Sequence, residues 1–328
     1  MILLKKPLFV ISLDFEKMWG VFDKRTMSTY GKQIANVDLV IDRLLSLFEK
    51  YDIHCTWATV GMLFHNDIKS CRDNVPIVVP PYKNKKLSSY FHLKEVYSYN
   101  FGIYYSGLSS IKKISLVANQ EIATHTYSHF YCLEEGSSLG SFQKDLELAV
   151  NISKENGFET KSIVFPRNQY DNNFLVICSK IGITAYRGTE PSWVQRSRNQ
   201  NDLMFIHRAV RFVDSYINLT GPNIYKHLEL NNQQLINIPA SFFLRPFNPK
   251  FSYFESLKLK RLKNSMLKAA RECSLFHLWW HPHNFGKNLE ENMNQLESIL
   301  TYYSELKNEY GMLSMTMNEV AKEYINEK

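Results

Sequence analysis

The sequence predicts an α/β barrel of about seven strands. Three observations carry this. Strand-like apolar runs alternate with helical periodicities along the chain. The first run, residues 8–15, is almost continuously apolar, as in a parallel strand buried on both faces. No Gly-x-Gly-x-x-Gly fingerprint, the mark of an open dinucleotide-binding sheet, occurs.

After the strand at 8–15, Asn36 is the expected cap of a helix over 37–51, where Val37, Val40, Ile41, Leu44 and Phe48 share one face. Cys55–Val60 reads as the second strand, closed by Gly61. The third lies near Glu121–Thr124. Ser141 is expected to cap the next helix, with Phe142, Leu146, Ala149 and Val150 on one side and Gly157 at its end. Ser162–Phe165 is the fourth strand, followed by a helix over 172–181 that Gly182 ends. Thr184–Tyr186 and Leu235–Pro239 are the fifth and sixth. A basic helix over 255–273 leads to the seventh, Leu275–Trp280. The last long helix, 289–310, aligns Leu289, Met293, Leu296, Leu300 and Tyr303 ahead of Gly311.

The expected organisation is one domain, 1–328, with long insertions at about 62–118 and 189–232. Both stretches break the alternation and are rich in aromatics, Lys and Asn. Such insertions read substrate at the loop face of a barrel, or pad its periphery.

Composition narrows the class. The 328 residues are 45% hydrophobic and 14% aromatic, with a net charge of +7, too diffuse to imply a nucleic-acid partner. No run approaches the roughly 18 apolar residues of a membrane span. Lys5-Lys6 before an apolar stretch opens like a signal peptide, but Asp14 and Glu16 interrupt it. Five cysteines, odd in number and without Cys-x-x-Cys, read as buried free thiols. The expected compartment is the cytoplasm.

Four segments carry chemistry. Asp14 and Glu16, two apart on a strand, project from one face at its C-terminal end; they read as a polar strand terminus or as carboxylates sharing a cation. His125 and His129 face the same way if their segment makes one helical turn, and that spacing suits one metal ion lacking only a carboxylate. Arg167 follows the fourth strand, either to hold a carboxylate in a fork or as a surface loop residue. His281 lies just past the seventh strand, where a general acid belongs, whereas His277 reads as a satisfied core histidine. Together they would suffice for metal-assisted hydrolysis.

These segments resemble the polysaccharide deacetylases with a NodB-type domain, carbohydrate esterase family four. The resemblance rests on Ser12–Glu16, Cys55–Leu63, His125–His129, Phe165–Gln169 and Phe276–Phe285. The His-Thr-x-x-His and Trp-Trp-His-Pro-His runs are its most specific parts. It implies a distorted (β/α) barrel that hydrolyses N-acetyl or related amide groups with one divalent metal, zinc first, then cobalt or nickel. Residue by residue, it implies Asp14 as base and Glu16, His125 and His129 as metal ligands. It implies Arg167 as the arginine orienting the base and His281 as acid, with His283 as alternative. Tyr170, Trp57, Trp280 and His283 are the weaker candidates for substrate contact. The chain departs from the family pattern where Phe15 separates the two carboxylates, where Pro166 precedes Arg167, and in lacking an Asp-and-Trp motif to support His281.

The expected activity is removal of an N-acetyl group from an acetamido sugar of a polysaccharide or surface-glycan precursor. Other amide hydrolysis on the same barrel (a deformylase or ureide hydrolase) and an inactive glycan-binding barrel are the alternatives. The basic helix sets six cations against two carboxylates between Glu255 and Glu272, which reads as a solvated face or as weak peripheral contact with an anionic membrane.

Overall fold

The computed structural model describes residues 1–189, 210, 212–216 and 219–325. About half of the sequence-predicted insertion at 189–232 therefore lies outside the described residues. The described strands are β1 (Ile2–Leu3), β2 (Leu8–Phe15), β3 (Cys55–Thr59), β4 (Gln120–Thr124), β5 (Ser162–Ile163) and β6 (Ala185–Tyr186). They continue with β7 (His227–Leu230), β8 (Ile236–Asn237), β9 (Phe242–Phe243), β10 (Leu275–Trp280) and β11 (Leu313–Ser314). One sheet runs β1-β7-β8-β6-β5-β4-β3-β2-β10-β9, with β11 beside β2. Every pair from β8 round to β9 is parallel.

The curled sheet is closed by a single strip of chain. Residues 238–240 bond to β6 and its extension (Ile238 N–H to Tyr186 O 2.9 Å, Ala240 N–H to Gly188 O 3.0 Å). Residues 241–244 bond to β10 (Ser241 N–H to His277 O 2.8 Å, Leu244 N–H to Trp279 O 2.9 Å). Pro239, which has no N–H, sits just before the changeover. Counting the strip once, the ring has the seven strands the sequence predicts.

The helices are α1 (Met27–Ala35), α2 (Val37–Tyr51), α3 (Ile68–Asp73), α4 (Ser89–His92), α5 (Ser98–Tyr104) and α6 (Leu108–Leu116). They continue with α7 (Leu139–Glu155), α8 (Asn172–Ile181), α9 (Glu255–Arg271), α10 (Leu289–Tyr310) and α11 (Met317–Ile325). Side chains on β2 alternate as a strand requires. Phe9, Ile11, Leu13 and Phe15 join the outer core with Val40, Ile41, Leu44 and Phe48 of α2 and the apolar stripe of α10. Leu8 and Val10 instead meet Ala58, Val164, Ala185 and Ile236 inside the ring. Ser12 and Asp14 follow on that inner face, so the lumen turns from apolar to polar towards the strands' C-terminal ends. Each fully buried aliphatic side chain of α2 is worth about 1.5–3 kcal/mol, and Leu44→Ala is expected to cost about 2–5 kcal/mol.

Several boundaries differ from expectation. Ser138, not Ser141, caps α7; the two hydroxyls and backbone N–H groups bond reciprocally. Asn36 precedes α2 but its side chain donates to Gly286 O (2.8 Å) instead of capping. The 62–118 stretch holds four short helices, and α6 packs on β4 as a barrel helix does. The basic helix α9 is largely a packed strut. Its Lys258 and Arg261 are buried in ion pairs with Glu255 (2.5 Å) and Asp214 (3.0 Å), and Arg271 bonds Tyr310. Among the described residues no helix is long and apolar enough to cross a membrane.

Candidate active site

Glu16, His125 and His129 converge: one ligand atom from each lies within 4.8 Å of the other two, and all three residues are buried. Glu16 Oε2 is 3.0 Å from His129 Nε2 and 3.4 Å from His125 Nε2. The histidines do not meet through the helical turn the sequence suggests. The chain after β4 turns instead through two left-handed residues, Thr126 (φ 63°) and His129 (φ 58°). Buried Asp145 on α7 holds that turn, accepting from Tyr127 N–H (2.8 Å), Ser128 N–H (3.2 Å) and the Ser128 hydroxyl. Tyr90, from α4, donates to the same carboxylate (2.9 Å). Thr126 Oγ1 accepts from Phe130 N–H (2.7 Å) and tightens the turn further.

The donor chemistry fits a cation. His125 Nδ1 lies 2.8 Å from Val164 O, and a carbonyl only accepts, so Nδ1 carries a proton and Nε2 is the ring atom turned to Glu16, free to ligate a cation. The nitrogens of both imidazoles thus converge on one buried carboxylate, the donor types a divalent cation takes. Burial pushes the Glu16 carboxyl up, yet the imidazoles of His281, His129 and His125 outweigh it and hold the group well below its usual range. Two imidazoles and one carboxylate make a facial set with open positions for water or substrate. Gly20 is part of this arrangement: a Cβ there would lie 1.9 Å from the Glu16 carboxyl carbon.

Asp14 sits beside this trio, also buried. Arg187, at the C-terminal end of β6, grips it through Nη1 (2.7 Å) and Nη2 (2.8 Å). The same guanidinium donates to Ser12 Oγ (2.9 Å) and Asn168 Oδ1 (3.1 Å) and lies 4.1 Å from the centre of the Trp279 ring. Burial raises the Asp14 carboxyl, and the charges of Arg187, His125 and His281 overcome that, so it stays below its ordinary value. Behind Ser12, His277 Nε2 accepts its hydroxyl (2.8 Å) while Nδ1 donates to Ile238 O (3.0 Å). Burial, then the Arg187 charge, lower His277 to about 3, so it is neutral and satisfied, the core histidine the sequence predicts.

Arg167 does not orient Asp14. Its backbone is left-handed (φ 54°), and its guanidinium turns to Asp23 (2.5 Å) and Glu134 (3.5 Å) over the Tyr131 ring. The expected contact belongs to Arg187. The Arg167 loop contributes through its next residue, Asn168, which braces Arg187.

His281 Nε2 stands 3.6 Å from Asp14 Oδ2 and 3.7 Å from Glu16 Oε1, walled by Phe243 and Trp279. Asn284 lies 3.4 Å from its Nδ1 and accepts from Tyr30. His283 is deeper, 3.9 Å from Glu16, and burial lowers it to about 3. These groups line a cleft of ≈ 350 Å³ with Lys24, Arg25, Tyr30 and Arg167 also on its wall.

Three weaker expectations fail on side-chain direction. Trp57 is fully buried against Phe48, with its N–H on Gln120. Trp280 is buried and stacked on Phe285. Tyr170 packs between Phe165 and Tyr186 and does not line the cleft. Among the described residues Trp279, one residue from Trp280 and on the same strand face as His277, is the tryptophan at the site.

No protein-family model matches this sequence, and no curated protein matches it. Solved structures do. A putative polysaccharide deacetylase from Mycobacterium smegmatis superposes with a TM-score of 0.63 at 12% identity, over 100% of this chain and 94% of that one. The chain has the polysaccharide deacetylase fold. A probable polysaccharide deacetylase from Pseudomonas aeruginosa PAO1 gives 0.54 at 12% identity, over 98% and 90%. The Puue allantoinase gives 0.53 at 13%, over 96% and 88%. Within the deacetylase fold, the residues that sequence reasoning missed are Arg187, Trp279, Gly20, Asn284 and Asp145. Arg187 carried a usable signal, standing directly after a buried strand as Glu16 and His281 do, and Trp279 carried one in its two-residue spacing from His281.

Proposed function

We propose that the chain is a divalent-metal-dependent hydrolase that removes the N-acetyl group from an acetamido sugar of a polysaccharide or surface-glycan precursor. The observation that carries this is the pairing of two sets in one cleft: Glu16, His125 and His129 around one point, and Asp14, locked by Arg187, beside it.

A divalent ion held by Glu16, His125 and His129 supplies Lewis acidity towards water and the amide carbonyl. Asp14, kept ionised by Arg187, takes the proton of the attacking water. His281 delivers a proton from Nε2 to the leaving nitrogen. His283, lowered to about 3, is unsuited to that step near neutral pH. Trp279 and Phe243 wall the cleft beside His281 and give a sugar ring an apolar face. The products are acetate and a free amino sugar. Five free thiols, four of them buried, support a reducing compartment such as the cytoplasm.

A second reading, hydrolysis of another non-peptide C–N bond such as a ureide, draws on the allantoinase, whose TM-score of 0.53 is within 0.01 of the second deacetylase's 0.54. Metal analysis of the purified protein, combined with an acetate-release screen over acetamido sugars and glycan oligomers, tests the proposal. Stoichiometric metal with acetate release supports it. Turnover of ureides alone moves the assignment to the second reading, and a metal-free, inactive protein defeats both.

A further inference from the structure

The segment leading from β3 to α5 presents an unusual surface. Val75, Ile77, Val78, Phe91, Tyr97 and Tyr99 are all exposed within a short stretch of chain, and Ile77 reaches 104% of full exposure. An aliphatic side chain so completely bare stands on a protruding tip. Beside it runs a groove of ≈ 540 Å³ lined by Val79, Pro80, Pro81 and Leu93 and by Arg72, Lys85 and Lys94. Among the described residues no carboxylate lines the groove. Among the described residues Lys85 and Lys94 make no ion pair, and residues 67–95 carry six cations against three carboxylates.

The surface is braced onto the barrel. Arg72 Nη2 donates to Leu93 O (3.3 Å) and Val96 O (3.1 Å), tying the two limbs of the groove together. Tyr82 OH accepts from Tyr131 N–H (2.8 Å), and Tyr90 bonds the Asp145 carboxylate that holds the His125–His129 turn. The face therefore lies at the same end of the barrel as the cleft.

We propose that this face docks on an anionic lipid bilayer, with Ile77 and Val78 entering the headgroup boundary and Arg72, Lys85 and Lys94 meeting the anionic headgroups. A bare aliphatic tip, a stacked tyrosine pair and cations in excess of carboxylates are the combination that lies in a membrane interface. A protein partner would need a counter-surface for a convex tip. The docking face thus sits on the 72–99 segment, not on α9, whose charges are largely engaged within the fold. The inference does not depend on the catalytic reading, because its test measures binding alone.

The test is co-sedimentation of the full chain with vesicles of phosphatidylcholine alone or mixed with phosphatidylglycerol, at rising salt. The wild type sediments with the anionic vesicles and is released as salt screens the cations. The double variants I77D/V78D and K85E/K94E each lower the bound fraction about tenfold, with an unchanged unfolding midpoint because all four side chains are exposed. K260E on α9 leaves binding unchanged. Absence of binding to anionic vesicles, full binding by both double variants, or loss of binding in K260E overturns the proposal. The first outcome leaves the face to a protein partner, and the last moves the membrane contact to α9.

Discussion

Replacing Arg187 with Met tests the arrangement around Asp14 most directly. The substitution keeps much of the stem's volume and removes four hydrogen bonds, two to Asp14 at 2.7 and 2.8 Å and one each to Ser12 and Asn168. Both ion-pair partners are buried, so the loss strands a carboxylate, at a cost of about 3–5 kcal/mol. Without the Arg187 charge the burial of Asp14 is left unopposed, and its carboxyl rises. The sign follows from the wild-type direction. In the wild type the folded value is depressed, so Asp14 stabilises above its unfolded value and that stability is lost as pH falls through the folded value. In R187M burial prevails, the folded value is raised, and protonation favours the folded state as pH drops. The stability gap between wild type and variant is therefore widest at neutral pH and narrows in acid. The acid limb of kcat/KM moves to higher pH, and turnover at neutral pH falls about a hundredfold as the base loses its orientation. Chemical denaturation across pH, with the pH–rate profile on the substrate found by the acetate screen, measures both. Arg167→Met is the control. A larger shift in R167M than in R187M, or an unshifted profile in both, would refute the reasoning.

Four further outcomes are expected. His125→Ala loses bound metal and activity together, whereas Asp14→Asn keeps the metal and loses turnover; metal content of both variants decides which carboxylate-side role is which, and metal loss in Asp14→Asn reverses the assignment. Gly20→Ala drives a methyl into the Glu16 carboxyl and lowers metal affinity at least tenfold by competition titration; unchanged affinity would show that Glu16 has another position open to it. Asp145→Asn can still accept from Tyr127 and Ser128 but loses the charge, so metal affinity falls about tenfold with a stability cost of about 1–3 kcal/mol, and the idea fails if neither changes. His281→Ala lowers kcat about 10²–10⁴-fold, as loss of a general acid does, while His283→Asn acts mainly on stability; the reverse pattern would make His283 the acid.

The ring was legible because its signals are periodic and local. Near-continuous apolar runs mark β2 and β10, and the 3.6-residue stripes of α2 and α10 predict their bounds to the residue. The metal trio was legible because its spacing is short. What escaped depends on direction and distance. Trp279 and Trp280 are equally plausible by composition, and only counting back in twos from His281 selects Trp279. The His125–His129 turn looks helical by spacing because i and i+4 also meet across two left-handed residues. Arg187 lies 173 positions from Asp14, and nothing local distinguishes its partner from that of Arg167. Strands β7 and β9 are four and two residues long, too short for any period to register.

The strip that closes the ring also decides how the protein fails. Strands β6 and β10 each have a neighbour on their second side only because residues 238–244 bond to both of them. If that strip detaches, β6 and β10 become open edges, each offering unpaired N–H and C=O groups to another chain. Its bonds are few, and Pro239 withholds a donor just before the changeover. Damage there, for example a second proline at Ser241, would first turn a closed barrel into a sticky ribbon, and self-association would precede any loss of secondary structure.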